Sequence, residues 1–324
     1  MTLLAIRDLD LSIVQGNELL PVVQGISFTV EENETLGIVG ESGCGKSLTA
    51  LAIMGLLEGS AVRVTGGSIY FQGRDIITFT SVERRRLMGE QMAMIFQEPM
   101  TSLNPVYRVG DQIKEAILQH RTMSNKRVHD RVLELLELVQ IPDPERRIDN
   151  FPHQMSGGQR QRVMIAMAIA CDPKLLIADE PTTALDVTVQ KEVLELLHSL
   201  QKRTGMSIVL ISHDLGVISE TCDRVAVMYR GRIVEHAMTS ELFANMSHPY
   251  TLGLLGSIPV HDHDVEWLDA IPGRVPTLGE VVSGCAFHPR CFAAKDTCKV
   301  VDPSTQTVAK THFVRCHFPQ GYSA

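Results

Sequence analysis

The chain has 324 residues, 44% apolar and 21% charged, with a formal net charge of −8. This is the balance of a globular protein with a full core, enough for about two domains at roughly 150 residues each. It excludes disorder and collagen-like structure, and the negative charge gives no global signal for nucleic acid or anionic lipid. Asp8 and Asp10 interrupt the N-terminal apolar residues, so no signal peptide is expected. The longest apolar run, residues 163–171, falls well short of the roughly 18 residues of a membrane span.

Residues 3–14 and 26–39 read as β-rich. Residues 36–39 form a buried-type strand running into a glycine-rich loop, and a helix is predicted over 47–57. Residues 92–96 are a second short strand. From Glu98 to about Asn150 the pattern turns helical, with 3–4 spacing over 109–119 and 128–139, and Pro142 and Pro144 punctuate its end. A helix over 159–170, a strand over 175–178, a helix over 187–200 and a strand over 207–211 follow. Residues 225–229 and 232–235, joined by Arg230-Gly231, read as a hairpin. Beyond about Glu241 the chain is richer in Pro, His and Cys. Strands alternating with helices predict an α/β core with a largely parallel sheet.

Gly40-Glu41-Ser42-Gly43-Cys44-Gly45-Lys46-Ser47 fits G-x-x-x-x-G-K-[ST], with a strand before it and a helix after, and Leu48 next along. Glycines let consecutive N–H groups turn inward around anionic oxygens. The helix start adds positive dipole. Lys46 places a point charge on the β- and γ-phosphates, and the Ser47 hydroxyl can ligate Mg²⁺. Cys44, at a variable position, reads as a small filler.

Downstream, Leu175-Leu176-Ile177-Ala178-Asp179-Glu180 is an apolar strand ending in two acids. It delivers Asp179 to the C-terminal sheet edge, where it can hold the Mg²⁺ shell. Glu180 can polarise a water for in-line attack on a γ-phosphate.

The cysteines are unevenly placed: Cys285, Cys291, Cys298 and Cys316 crowd the last 40 residues. No pair is C-x-x-C. In a reducing compartment, clustered thiols bind metal more often than they form disulfides. Four thiolates suit either Zn²⁺ or a 4Fe–4S cluster, and spacing alone does not choose.

Further segments carry a resemblance. Met155-Ser156-Gly157-Gly158-Gln159 is similar to the signature LSGGQ of ABC-type ATPases, with Met for Leu. Thr183-Ala184-Leu185-Asp186 resembles the D-loop, His213 in Ser212-His213-Asp214 the switch histidine, and Gln97 the Q-loop glutamine. The resemblance implies a P-loop NTPase fold: an ATPase core with a β subdomain, an inserted helical subdomain over about 98–160, and a small cysteine-rich C-terminal extension. The implied domains are 1–240 and 241–324. It also implies two ATPase domains packed head to tail, with ATP and Mg²⁺ between one phosphate loop and the partner's signature. Ser156, Gly157 and Gly158, on a helix beginning at Gln159, would then meet a γ-phosphate held by the other subunit. Glu180 and His213 would be catalytic, and Gln97 would link Mg²⁺ to the helical subdomain. The family often stacks adenine on an N-terminal aromatic. Here none precedes Phe28, and Ile13 is the candidate for that place.

Beyond the core, Ser247-His248-Pro249-Tyr250-Thr251, Ile271-Pro272-Gly273 and Pro289-Arg290-Cys291 resemble the C-terminal extension of ATPase subunits from oligopeptide/dipeptide ABC importers. In that group four cysteines carry a 4Fe–4S cluster, here Cys285, Cys291, Cys298 and Cys316, with zinc as the alternative. His288, His312 and His317 read as polar loop residues. The expected protein is thus the energy-coupling subunit of a peptide importer, peripheral on the cytoplasmic face of the inner membrane. Its expected partners are a second ATPase in a heterodimer, two permeases and, indirectly, a solute-binding protein; nucleic acid is not among them. A permease helix is expected in a groove near residues 97–107. Nickel or oligosaccharide uptake, a soluble non-transport ABC ATPase, and a metal-binding regulator with a vestigial ATPase are the alternatives.

Overall fold

The computed structural model describes residues 1–97, 102–183, 185–256 and 271–321. Its strands are β1 (Thr2–Gln15), β2 (Glu18–Glu31), β3 (Thr35–Val39), β4 (Val62–Phe71), β5 (Arg74–Asp75), β6 (Met92–Ile95), β7 (Leu175–Asp179), β8 (Ser207–Ser212), β9 (Arg224–Tyr229), β10 (Arg232–Met238), β11 (Gln306–Ala309) and β12 (His312–Val314). Its helices are α1 (Lys46–Ile53), α2 (Ser81–Glu90), α3 (Val109–Leu118), α4 (Asn125–Leu138), α5 (Pro144–Arg147), α6 (Gly157–Ala168), α7 (Val187–Thr204), α8 (Leu215–Thr221), α9 (Thr239–Ala244), α10 (Pro249–Gly256) and α11 (Asp296–Val300). The chain divides into two compact units. One comprises Met1–Leu3, Val30–Glu34 and the described part of Asp75–Ile211; the other comprises Leu4–Thr29, Thr35–Arg74 and the described residues from Ser212 onward.

In the first unit β6, β7 and β8 pair in parallel, Met92 opposite Leu175 and Leu175 opposite Ser207. All five residues of β7 are buried, as expected of a parallel strand covered on both faces. The helices carry apolar stripes at helical spacing: Val109, Ile113 and Ile117 on α3, and Val128, Val132, Leu135 and Leu136 on α4 are buried. Both helices pack on α6. Asp186 caps α7 by accepting the Val189 N–H at 3.0 Å, and Gly205 ends that helix at φ +71°.

The second unit holds an antiparallel sheet in the order β2-β1-β4-β5 and a run β11-β12-β10-β9-β3. There β3 and β9 are parallel, while β9–β10, β10–β12 and β11–β12 are antiparallel. The expected hairpin is present and runs on to Met238.

Several elements differ from the sequence expectation. β4 falls in a stretch for which the sequence analysis names no element, and it carries Gly66-Gly67 in its middle. That glycine pair lies at a register shift between Arg7 and Asp10 of β1. Gly67 takes φ +81°, and a Cβ there would sit 2.3 Å from the Asp8 carbonyl oxygen, so glycine lets β4 pass the kink. The helix predicted over 47–57 stops at Ile53, and the one predicted from Gln159 begins at Gly157. Residues 98–101, part of both the expected helical stretch and the expected groove segment 97–107, lie outside the described residues.

Glu235, 1% exposed, is the polar hinge of the C-terminal segment. Its carboxylate accepts the N–H groups of Ser247 at 2.6 Å and His248 at 3.0 Å, and lies 2.7 Å from His312 Nε2. Three stretches of chain thereby meet at one buried carboxyl group. Glu235→Ala would leave those donors buried without an acceptor, at an expected cost of about 3 kcal/mol. Urea unfolding checks this; a loss under about 1 kcal/mol, the level of an ordinary hydrogen bond, contradicts it.

Candidate functional site

The phosphate-loop residues are set by what surrounds their backbone. β3 is buried along its length, and the chain leaves it at Gly40. A Cβ on Gly40 would lie 2.1 Å from the Met228 carbonyl oxygen, so only glycine lets the loop pack on β9. Gly43 and Gly45 take φ +79° and +108°, conformations that turn successive amides to one side. α1 then begins at Lys46. The Lys46 side chain is buried; its Nζ donates to the Gly40 carbonyl at 2.6 Å and the Glu41 carbonyl at 3.2 Å, and sits 3.8 Å from Cys44 Sγ. A buried ammonium held by loop carbonyls at a helix N-terminus suits a polyphosphate. Ser47 and Leu48 are half-buried on the first turn, and Ser42 is exposed. Cys44 is buried, and burial pushes its thiol up against the pull of Lys46, which suits a filler and not a nucleophile.

Beside Gly43 lies a cavity of about 350 Å³, walled by Leu20, Pro21, Val22 and Arg230 and by residues 275–282. Ile13 is half-buried in β1 opposite Val62 and is not among the residues lining that cavity.

The first unit carries the carboxylates. β7 delivers Asp179, 4% exposed, to its C-terminal end. Glu180 follows at φ 46°, a left-handed conformation unusual for a residue with a side chain. Its amide donates to the Ile211 carbonyl at 3.0 Å, which fixes the turn. Its Oε2 accepts from Gln97 Nε2 at 3.1 Å and from Thr183 Oγ1 at 2.9 Å. The structure thus brings Gln97 and Glu180 together, and adds Thr183, which the sequence had placed only within the D-loop. Ala184 of that loop lies outside the described residues.

Ser156 caps α6. Its Oγ accepts the Gln159 N–H, while Gln159 Oε1 accepts the Ser156 N–H, both at 3.2 Å, so S-x-x-Q here is a capping box. Gly157 and Gly158 are the first helical residues. A Cβ on Gly158 would lie 2.7 Å from Val189 Cγ1 on α7. Met155, in the position of the family leucine, is buried at 5%.

In the second unit His213 is exposed where the chain leaves β8. The Asp214 N–H donates to Ser212 Oγ at 2.9 Å, and its carboxylate caps α8 through the Gly216 amide at 2.7 Å.

Cys285, Cys291, Cys298 and Cys316 line one small cavity with Phe287, Phe318 and His248. The Cys285 amide donates to the Cys298 carbonyl at 2.8 Å. Burial pushes the Cys316 thiol up to about 12. Among the described residues no group of three or more His, Cys, Asp or Glu is disposed to hold a metal ion. The donor set fits a soft metal centre by its chemistry, not by a preformed geometry. His288 Nδ1 lies 3.0 Å from the Cys285 carbonyl, at the head of the short 3-10 turn His288–Arg290, and His317 Nε2 lies 2.9 Å from the Val301 carbonyl in a loop. His312 instead is wholly buried in β12, its Nε2 2.7 Å from the Glu235 carboxylate.

Two residues that the sequence analysis quotes only within the C-terminal resemblance, with no role at the nucleotide, also reach the phosphate loop. Tyr250 Oη accepts the Glu41 amide, and Arg290 pairs with the Glu41 carboxylate.

Comparison with known proteins fits this geometry. Residues 23–183 match the ABC transporter family and residues 234–298 the oligopeptide/dipeptide transporter C-terminal region. The chain is 48% identical to the oligopeptide transport ATP-binding protein AppD of Bacillus subtilis, over 97% of this chain and 96% of that one. It is also 48% identical to the dipeptide transport ATP-binding protein DppD of Escherichia coli, over 95% of each. Among solved structures, the dimeric post-hydrolysis state of the ATP-binding cassette MJ0796 bound to ADP and Pi aligns with a TM-score of 0.64 and 26% identity, over 73% of this chain and 98% of that one. The chain belongs to the ATP-binding proteins of oligopeptide/dipeptide ABC transporters.

Proposed function

We propose that this chain is the ATPase that powers a peptide importer. One observation carries the reading. The glycine-rich loop closes on the buried ammonium of Lys46, in a chain nearly half identical, end to end, to named peptide-transport ATP-binding proteins.

In this reading, amides from Gly40 through Leu48 and the Lys46 ammonium grip the phosphates of ATP. Ser47, Gln97 and Asp179 would hold Mg²⁺, which would supply charge neutralisation at the phosphates. Glu180 accepts a proton from the attacking water, and His213 orients that water against the γ-phosphate. The contacts of Gln97 and Thr183 with Glu180 Oε2 support this, because they fix the carboxylate. Ile13 and the Leu20–Val22 wall beside Gly43 supply apolar surface for the base.

Ser156, Gly157 and Gly158 would face the nucleotide of a second ATPase subunit, so that closure requires ATP on both sides. The likeness to a dimeric cassette supports pairing, and a heterodimer with a related ATPase is proposed. No helix of the described residues is long and apolar enough to cross a membrane. Attachment to the cytoplasmic face would therefore come through two permease subunits, a solute-binding protein supplying the peptide. We assign ATPase chemistry to 1–240, with the helical segment about 98–160 facing the permeases, and an accessory role to 241–324. There Cys285, Cys291, Cys298 and Cys316 would hold a 4Fe–4S cluster, which crosslinks a segment too small for its own core.

Lys46→Ala should weaken ATP binding at least about tenfold, the loss of one charge-assisted contact, in a titration with a fluorescent ATP analogue; unaltered affinity removes the loop from the site. Glu180→Gln should bind ATP, abolish turnover and accumulate a closed dimer on size exclusion; wild-type turnover removes Glu180 as base. Protein purified without oxygen should be brown and contain iron and acid-labile sulfide. Colourless protein holding zinc would exchange the cluster for the alternative metal.

A further inference from the structure

A phosphate loop is built to attract anions, yet its second residue here is Glu41. A bare carboxylate at that position would repel the triphosphate it borders. The structure shows how that charge is handled. Arg290 Nη1 and Nη2 donate to the two Glu41 carboxylate oxygens at 2.6 and 3.0 Å, fork to fork. The Arg290 side chain is 5% exposed, against 29% for Glu41. Its Nε donates to the Pro272 carbonyl at 3.0 Å, and the guanidinium lies 5.9 Å from the Tyr229 ring centroid. A lysine has neither the planar fork nor the third directed donor for this seat.

The rest of Glu41 is equally constrained. Its amide donates to Tyr250 Oη at 2.8 Å, and its carbonyl accepts from Lys46 Nζ. Tyr250 is wholly buried and packs against Tyr229 and Phe287, with ring centroids 4.7 and 5.4 Å apart. Arg290 closes the turn His288–Arg290, its amide donating to the Phe287 carbonyl at 3.0 Å. The same turn places Cys291 next along the chain. The cysteine-bearing segment therefore reaches the carboxylate of the phosphate loop through Arg290.

We propose that Arg290 is a positioning residue for nucleotide binding: the C-terminal extension supplies the counter-charge that lets a glutamate-containing phosphate loop accept a triphosphate. The inference rests on Gly40–Ser47 being the nucleotide loop. Its action is electrostatic and runs through Glu41; Arg290 itself touches no substrate.

The test is a double-mutant cycle on the full chain, read by titration with a fluorescent ATP analogue and by thermal melting. Arg290→Met keeps much of the bulk and removes the charge. It should weaken nucleotide affinity roughly tenfold, about 1.4 kcal/mol, and the deficit should shrink as salt is raised. Adding Glu41→Gln to that variant should restore most of the lost affinity, because no bare carboxylate remains. A merely structural strut gives a different result: a lower melting temperature with unchanged affinity, or losses that add without rescue and ignore salt. Either of these overturns the proposal. Should Arg290→Met fail to fold, the neutral but polar Arg290→Gln, with and without Glu41→Gln, gives the same reading: rescue by Glu41→Gln supports the counter-charge, and its absence refutes it. Lys46→Ala separates the two layers. If that variant keeps its affinity, the nucleotide loop has been misassigned; if it loses affinity while the cycle shows no rescue, only the role of Arg290 falls.

Discussion

The Met228 carbonyl oxygen stands where a side chain on Gly40 would begin, and the site depends on that closeness. The loop lies against β9 with no room between, so its course is set by the sheet and not by its own preference. Gly43 and Gly45 then turn the amides to one side without the penalty a Cβ would impose. Lys46 folds beneath them and ties the first carbonyls back. A flexible glycine-rich segment becomes a fixed concavity because the strand beside it is rigid. Binding then needs little further ordering of the backbone.

The carboxylate end solves a different problem. β7 is apolar and buried to its last residue, yet two acids stand at its end. It keeps Asp179 within the strand and turns abruptly at Glu180, whose left-handed backbone is held by a hydrogen bond to Ile211. Strain of this kind persists only where the surroundings over-determine it, and it clusters where chemistry is done. Gln97 and Thr183 complete the restraint from two directions.

Much of this was legible in the sequence, because it is written locally. The apolar run of β7, the spacing of the phosphate-loop glycines and the 3–4 pattern of α3 and α4 each lie within a short window. What escaped is non-local or disguised. Gly66-Gly67 imitates a turn, and only the neighbouring β1 kink at Asp8 shows why the strand runs through it. Pro21 lies inside β2, where proline argues against a strand unless an edge is available, and β2 is the edge of its sheet. The Glu41–Arg290 pair spans 249 residues, and no periodicity announces a partner at that distance. The histidines needed structure as well: His312 sits inside the fold, His288 heads the short turn before Cys291 and His317 lies on a loop, though all three read alike in sequence.

The capping box at α6 has a chemical consequence of its own. A hydroxyl owns one proton and two lone pairs. Ser156 commits a lone pair to the Gln159 amide, which locks its rotamer and leaves its proton to give. An incoming oxyanion would therefore meet a donor already aimed by the helix it heads, and any replacement lacking that hydroxyl would forfeit the aim along with the proton.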